Sequence, residues 1–127
     1  MTRQELETHL RDVYNTDPEY PWARYPEYAV FRHAANRKWF AVTMSVPREK
    51  MGLEGDGVIP ILNLKTDPIL LGSLLKEEGF FPAYHMSKSS WVSAALDGSA
   101  DSEKIRWLLD LSYSLTAPKV RHSKGAK

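Results

Sequence analysis

The amino-acid sequence predicts an α+β fold with two layers, in which helices cover a mainly antiparallel five-stranded sheet in the order α-β(3)-α-β(2)-α. Three observations lead to this prediction. Capping signals followed by helical periodicity occur at the beginning, the middle and the end of the chain. Strand-like runs lie between them, three before the middle helix and two after it. No repeated strand–helix–strand series is present, so a parallel sheet is not expected.

Length and composition predict a single domain. The chain has 127 residues, and single domains usually have roughly 100–150. Its 43% of hydrophobic residues suffices for one core. We expect the domain to span residues 1–117 and residues 118–127 to form a basic, disordered tail. The charged N-terminal residues and the lack of an apolar run of ~20 residues predict a cytoplasmic protein outside the membrane. We also expect a monomer.

The first helix begins at a capping box, because Thr2 and Glu5 are spaced so that each side chain accepts a hydrogen bond from the backbone N–H of the other. Its apolar face, with spacings of four and three, consists of Leu6, Leu10, Val13 and Tyr14. Residues 15–27 then contain three prolines among aromatic residues. Since proline fixes φ and lacks a donor, we expect an ordered loop whose aromatic side chains pack on the core.

The first two strands form a predicted hairpin. Residues 28–34 and 38–46 are rich in β-branched and aromatic side chains, and the short connection between them contains Asn36. In the second strand, alternation places Trp39 on the face opposite the core. The residues that alternation turns toward the core are Phe40, Val42, Met44 and Val46.

A third strand is predicted at residues 58–65, after a glycine-rich loop at residues 48–57. Pro60 lacks the N–H that a hydrogen-bonded ladder needs. This strand is therefore expected at an edge of the sheet or near a bulge.

The middle helix is predicted to begin at Asp67 and Pro68, an N-cap followed by proline in the first helical position. Gly79 is expected to end it, because glycine readily adopts the left-handed conformation that follows many helices. The predicted buried stripe consists of Ile69, Leu70, Leu71, Leu74 and Leu75.

A second hairpin is predicted from residues 81–86 and 89–96, joined at Ser87 and Lys88. A last helix follows at residues 101–116, and its apolar stripe consists of Ile105, Leu108, Leu109 and Leu115. We expect the helices to contribute Leu71, Leu74, Leu75, Leu108 and Leu109 to a core shared with Phe40, Val42, Val92 and Leu96.

The second hairpin also carries a motif. Pro82, Tyr84, His85 and Met86, followed by Lys88 and Trp91, resemble the signature hairpin of the MmcQ/YjbR family. The runs at residues 38–41, 62–65 and 112–115 are similar to other parts of that family, so that the resemblance covers about residues 1–117. The chain departs from the family pattern in two places: Ser87 stands where Asn is usual, and Ser90 stands where His often precedes the tryptophan.

The resemblance implies the same α-β(3)-α-β(2)-α arrangement that the residues predict. It also implies a likeness to secretion chaperones and to the double-wing DNA-binding domain of a phage transcription activator. Members of the family are commonly described as DNA-binding because of that likeness. A shared fold does not by itself establish a shared function.

One function class is binding of duplex DNA by the two hairpins as wings. Positive charge is concentrated in residues 22–50, which hold six Lys or Arg against two Asp or Glu, and in the tail. Lys and Arg would neutralise phosphates, and an exposed tryptophan could stack on a base. The predicted contact residues are Arg32, Arg37, Lys38, Trp39, Lys88 and Trp91. In the alternative interpretation the charges are solvated, and the proline-rich loop or the last helix covers the tryptophans.

A second class is a protein- or small-ligand-binding domain of secretion-chaperone shape, which would use the sheet face around Trp39 and Trp91. Catalysis is not expected, and no catalytic residue, metal or organic cofactor is predicted. The chain has no cysteine, and its four histidines lack metal-ligand spacing. His85 is interpreted as a structural imidazole bonded to backbone or to a hydroxyl, with a functional imidazole as the alternative.

Overall fold

The structure is a computed structural model, and it describes residues 1–118. Its five strands form one sheet in the order β1-β2-β3-β5-β4, and all neighbouring strands are antiparallel. The elements are α1 (Arg3–Tyr14), β1 (Ala29–Arg32), β2 (Trp39–Pro47), a 3₁₀ turn (Arg48–Met51), β3 (Val58–Lys65), α2 (Pro68–Leu74), β4 (Phe80–Pro82), β5 (Trp91–Ala95) and α3 (Ser102–Thr116). The predicted α+β class and element order are confirmed. The predicted disordered tail lies outside the described residues, apart from Pro118.

The helices begin where the capping signals predict. Thr2 and Glu5 form the capping box of α1, and the Asp67 carboxylate accepts a hydrogen bond from the N–H of Ile69 at 3.0 Å. Asp101 caps α3 in the same way. α2 is shorter than predicted, because it ends at Leu74 and not just before Gly79. No helix within residues 1–118 is both long and apolar enough to cross a membrane.

The sheet is buried on both faces. On one face the three helices cover an apolar core that includes Leu6, Leu10, Phe31, Leu64, Leu74, Val92, Leu96, Ile105, Leu108 and Leu109. On the other face, strand residues pack beneath side chains from the proline-rich loop; the strand residues are Val30, Val42, Met44, Val46, Ile59, Ile61 and Ala95. Trp22 of that loop and Tyr28, which directly precedes β1, pack against these residues. Of the loop aromatics predicted to pack on the core, Trp22 does so, whereas Tyr20 and Tyr25 are 53% and 47% exposed.

A β-bulge in β2 changes the predicted faces. Phe31 pairs with Ala41 but Arg32 pairs with Trp39, so Phe40 is an extra residue without a partner. Phe40 lies in the helix-side core, whereas Val42 lies in the core on the opposite face. The prediction that Val42 packs against the helices was therefore wrong. Strict alternation fails here because the bulge shifts the register by one residue.

The predicted helix stripes are wider than the surfaces that the helices bury. Leu74, Leu108 and Leu109 lie in the helix-side core as expected, together with Phe40, Val92 and Leu96. Four residues predicted within the stripes are exposed: Val13 (56%), Ile69 (85%), Leu75 (41%) and Leu115 (42%). Leu75 lies beyond the end of the short α2 and therefore adds no helical face to the core.

β3 is the central strand and not an edge strand, contrary to the prediction from Pro60. β2 pairs with residues 58–64 of β3, while β5 pairs with β3 only from Ile61 onward. Pro60 thus lies where β5 has already ended, and the missing N–H interrupts no ladder with β5. Its carbonyl still accepts a hydrogen bond from Leu96 N at 2.8 Å.

Candidate functional site

Both hairpins leave the sheet at the same end. β2 begins opposite the end of β3, where Ala41 pairs with Leu64, and β5 begins there too, where Trp91 pairs with Lys65. The connections 33–38 and 83–90 therefore lie at one end of the sheet, on either side of β3. Since neighbouring strands are about 4.8 Å apart, the starts of β2 and β5 are separated by roughly 10 Å.

The second connection is longer than predicted. β4 ends at Pro82, so residues 83–90 form the connection in place of a two-residue turn at Ser87 and Lys88. Only its end is a tight turn, in which Trp91 N donates to Ser87 O at 3.0 Å. Lys88 lies exposed within that turn. Of the family motif, Tyr84, His85 and Met86 are therefore in the connection and not in a strand.

One carboxylate compensates part of the positive charge of the first hairpin. Glu19, in the proline-rich loop, accepts hydrogen bonds from Arg32 Nε at 3.1 Å and Arg37 Nη2 at 2.7 Å. The hydrogen bond from Arg37 is the main reason that the pKa of Glu19 lies below its usual value. Two of the three predicted hairpin cations are thus paired. Lys38 is exposed and, like Lys88, forms no salt bridge within residues 1–118.

Sequence reasoning missed Glu19, because it is distant along the chain from the two arginines. Its backbone forms a two-way bridge with Val30 of β1, with both N···O distances 2.9 Å. That bridge holds the loop beside the hairpin and places the carboxylate next to the guanidinium groups of Arg32 and Arg37. No local sequence pattern predicts the pairing of Glu19 with these two arginines.

Trp39 lies under the proline-rich loop, as the alternative interpretation holds. The ring of Trp22 packs on it at 5.5 Å and 78°, and the guanidinium of Arg32 lies 5.6 Å from its ring centre. Because of the bulge, Trp39 shares its face of the sheet with Val42 and Met44, contrary to the prediction. Trp91 is partly buried at the start of β5.

A cavity of about 380 Å³ lies on the sheet face away from the helices. We call it the aromatic pocket. Four of its seven lining residues are aromatic, two are methionines and one is a histidine: Trp22, Tyr25, Tyr28, Trp39, Met44, His85 and Met86. The pocket thus joins the proline-rich loop, the strand of the first hairpin and the connection of the second.

The rings of the pocket have defined mutual orientations. Tyr25 and Tyr28 are stacked, with ring centres 4.6 Å apart and planes within 12°. Trp22 stands nearly perpendicular to Tyr28, at 6.1 Å and 81°. Burial raises the pKa of the Tyr28 hydroxyl above its usual value.

A buried polar network anchors the backbone next to His85, one of the lining residues of the pocket. Asn63 Nδ2 donates to the carbonyl of Tyr84 at 3.0 Å, and Tyr84 N donates to Ser93 Oγ at 3.0 Å. Ser93 Oγ in turn donates to Asn63 Oδ1. Both polar side chains are fully buried, on β3 and β5. This network ties the start of the second connection to the sheet, immediately before His85.

His85 differs from the structural imidazole of the prediction. It is exposed, its φ is 59°, and its ring lies 4.1 Å from that of Tyr84. No side-chain hydrogen bond of His85 is formed within residues 1–118. The prediction of a bonded structural imidazole was therefore wrong, because the connection turns the ring out toward the pocket. No group of three or more metal-ligating side chains occurs in the described part of the chain.

Comparisons with known proteins agree with the fold. The family model YjbR matches residues 11–115. The uncharacterized protein YyaQ of Bacillus subtilis is 41% identical over 116 residues, which covers 91% of this chain and 98% of that protein. A crystal structure of a Pseudomonas syringae protein has 42% identity and a TM-score of 0.90, covering 92% of this chain and 100% of that one.

Two further solved structures are similar. A solution NMR structure of a Pseudomonas syringae protein has 41% identity and a TM-score of 0.85, covering 96% of this chain and 98% of that one. The Deinococcus radiodurans protein DR2400, which has the family-model domain DUF419, has 22% identity and a TM-score of 0.68, covering 97% and 86% of the two chains. At that identity the likeness concerns the fold alone.

Proposed function

The chain belongs to the MmcQ/YjbR family, and we propose that it is a non-enzymatic domain that binds a small molecule in the aromatic pocket. The pocket itself is the observation that carries the proposal. Its volume of about 380 Å³ lies in the range of roughly 300–1,000 Å³ that small-molecule sites have, and such sites are mostly apolar with a few polar groups.

The way the pocket is built also supports binding. Its walls come from three separate parts of the chain, and the Asn63–Ser93 network and the Glu19 bridge hold two of those parts on the sheet. A wall fixed in advance reduces the entropy that binding costs. His85 is the single imidazole among the lining residues, and none of the seven is Asp, Glu, Lys or Arg. The pocket therefore offers surface for binding and no pair of groups for acid–base chemistry.

We expect at least one chemical class of small fragment to shift the NMR signals of the pocket tryptophans. The probes are millimolar aromatic, aliphatic and quaternary-ammonium fragments, and the signals are the four indole N–H resonances in a ¹H–¹⁵N spectrum. Those of Trp22 and Trp39 should move, while that of Trp107, which is 51% exposed on α3, should not.

Two tyrosines of the same loop supply the matched control. Tyr25, 47% exposed, lines the pocket, whereas Tyr20, 53% exposed, does not. Tyr25→Ala should weaken fragment binding and Tyr20→Ala should leave it unchanged. If no fragment class moves the Trp22 and Trp39 signals, the pocket is not a binding site and the proposal is wrong.

Duplex-DNA binding is a second candidate, favoured by the position of both hairpin connections at one end of the sheet. Lys38 and Lys88 are exposed there and could contact phosphates on one duplex. Arg32 and Arg37 contribute less than two free cations would, because both are paired with Glu19, whose single negative charge offsets one of the two positive charges. Trp39 is covered by Trp22, so stacking on a base would require movement of the loop.

We expect Glu19→Gln to strengthen DNA binding if the hairpins contact phosphates. The substitution frees Arg32 and Arg37, and each added phosphate contact should steepen the log–log dependence of affinity on salt by about 0.9. Wild-type binding should lie near the nonspecific range of about 10⁻⁴–10⁻⁶ M. Fluorescence anisotropy with a labelled duplex measures both quantities.

Glu103→Gln is the matched control, because it changes the charge equally and frees Arg106 on α3, away from the hairpins. Glu103→Gln should leave the log–log dependence of DNA affinity on salt unchanged. The hairpin hypothesis fails if Lys38→Ala with Lys88→Ala binds as wild type does. It fails equally if the wild type shows no binding at about 50 mM salt.

A further inference from the structure

We infer that the aromatic pocket takes a flat, uncharged heteroaromatic ring with hydrogen-bond acceptors along its edge, which is the chemistry of a nucleobase. The inference rests on the proposed pocket function and names the class of its ligand. Charge, ring orientation and the polar groups of the lining each support it.

The charge of the pocket favours an uncharged ligand. None of the seven lining residues is Asp, Glu, Lys or Arg. Glu19 is engaged by Arg32 and Arg37. A tryptophan ring can bind a cation over its face, but the Trp39 ring already has the Arg32 guanidinium 5.6 Å from its centre. A quaternary ammonium would therefore meet a neighbouring positive charge and find no carboxylate in the lining.

The orientation of the rings favours a planar ligand. Tyr25 and Tyr28 lie parallel, 4.6 Å apart, at the rim, and Tyr25 is 47% exposed. A flat ring can extend such a stack or lie against Trp22, since aromatic rings prefer stacked and edge-to-face arrangements. A volume of about 380 Å³ is near the lower end of the range for ligand pockets, which suits one ring system.

The polar groups of the lining favour a ligand that accepts hydrogen bonds. Indole N–H groups only donate, and tyrosine hydroxyls and the imidazole can donate as well. Within residues 1–118 the side chains of Trp22, Trp39, Tyr25, Tyr28 and His85 make no hydrogen bond to the protein. The several ring nitrogens and carbonyl oxygens along the edge of a nucleobase would match these donors, whereas cyclohexanol and choline each offer a single hydroxyl oxygen.

A base could come from a free nucleoside or from a single-stranded nucleic acid. Lys38 and Lys88 lie at the end of the sheet from which the hairpin connections leave. They would contact phosphates only in the second case. Salt dependence of binding therefore distinguishes the two sources, because a nucleoside has no phosphate charge.

The test follows the indole N–H signals while adenosine, choline or cyclohexanol is added to the protein. Adenosine should move the signals of Trp22 and Trp39 and leave that of Trp107 in place. Tyr25→Ala should weaken adenosine binding by roughly tenfold or more, since one base–aromatic stack has about that effect. Tyr20→Ala, in the same loop, should bind adenosine as the wild type does.

The other outcomes are equally informative. Movement of the Trp22 and Trp39 signals by choline or cyclohexanol, with no response to adenosine, would overturn the ligand class and leave the pocket function standing. No response to any of the three, nor to the wider fragment panel, would overturn both. A short oligodeoxyadenylate that binds more tightly than adenosine, with salt dependence lost in the variant Lys38→Ala/Lys88→Ala, would identify nucleic acid as the source of the base. Equal binding of both probes would identify the free nucleoside.

Discussion

Replacing Leu108 by alanine is expected to lower the free energy of unfolding by about 2–5 kcal/mol. Leu108 is fully buried on α3, in the core between the helices and the sheet. The substitution removes apolar area from that core and leaves a cavity that close-packed neighbours fill only in part. Urea unfolding followed by circular dichroism measures the change.

Leu115→Ala is the matched control for Leu108, because Leu115 lies on the same helix and is 42% exposed. Its effect should be about 0.5 kcal/mol or less, as for most surface substitutions. If the two substitutions cost the same, or if Leu108→Ala costs less than about 1 kcal/mol, α3 does not pack on the sheet as described.

Gly79→Ala is expected to lower the free energy of unfolding by roughly 2–5 kcal/mol. Gly79 has a φ of 85°, and an added Cβ would lie 2.5 Å from the backbone nitrogen of Ala100. The left-handed conformation costs a residue with a side chain about 1–2 kcal/mol, and forcing an extra carbon into a filled space costs about 1–3 kcal/mol. Thermal or urea unfolding measures the total loss of stability from both contributions.

Gly98→Ala separates these two contributions. Its φ of 92° imposes the same strain, but nothing lies within 4 Å of the added Cβ. It should therefore cost only the ~1–2 kcal/mol of the backbone conformation. Equal losses of stability for Gly79→Ala and Gly98→Ala would mean that the chain near Ala100 moves aside. The close approach of Ala100 to Gly79 would then not be rigid.

The fold could be predicted where the deciding interactions are local. Capping by Thr2, Asp67 and Asp101 depends on residues two or three positions away, and all three helix starts are confirmed. Strand positions follow from alternation over a few residues. The bulge at Phe40 was missed, because β2 looks regular until its pairing with β1 is known.

The candidate site was harder to predict, because its contacts join parts of the chain that are distant in sequence. Trp39 was predicted to be a contact residue, but the cover by Trp22 and the pairing of Arg32 with Glu19 depend on where the proline-rich loop lies. Asn63 lies in β3 between the buried apolar residues Leu62 and Leu64, where the sequence alone gives it no partner. Only the approach of Ser93 and Tyr84 makes it the centre of a hydrogen-bonded network.

The bridge between Glu19 and Val30 also bears on how the sheet behaves beside other copies of itself. β1 is an edge strand, and unpaired edge backbone is a template for strand addition and aggregation. The bridge occupies both the N–H and the carbonyl of Val30 on that open side. At the opposite edge β4 has only three residues and ends at Pro82, which has no N–H to offer. Neither edge of the sheet is therefore open to the addition of a further strand. The proline-rich loop covers β1, and β4 is short and ends at a proline.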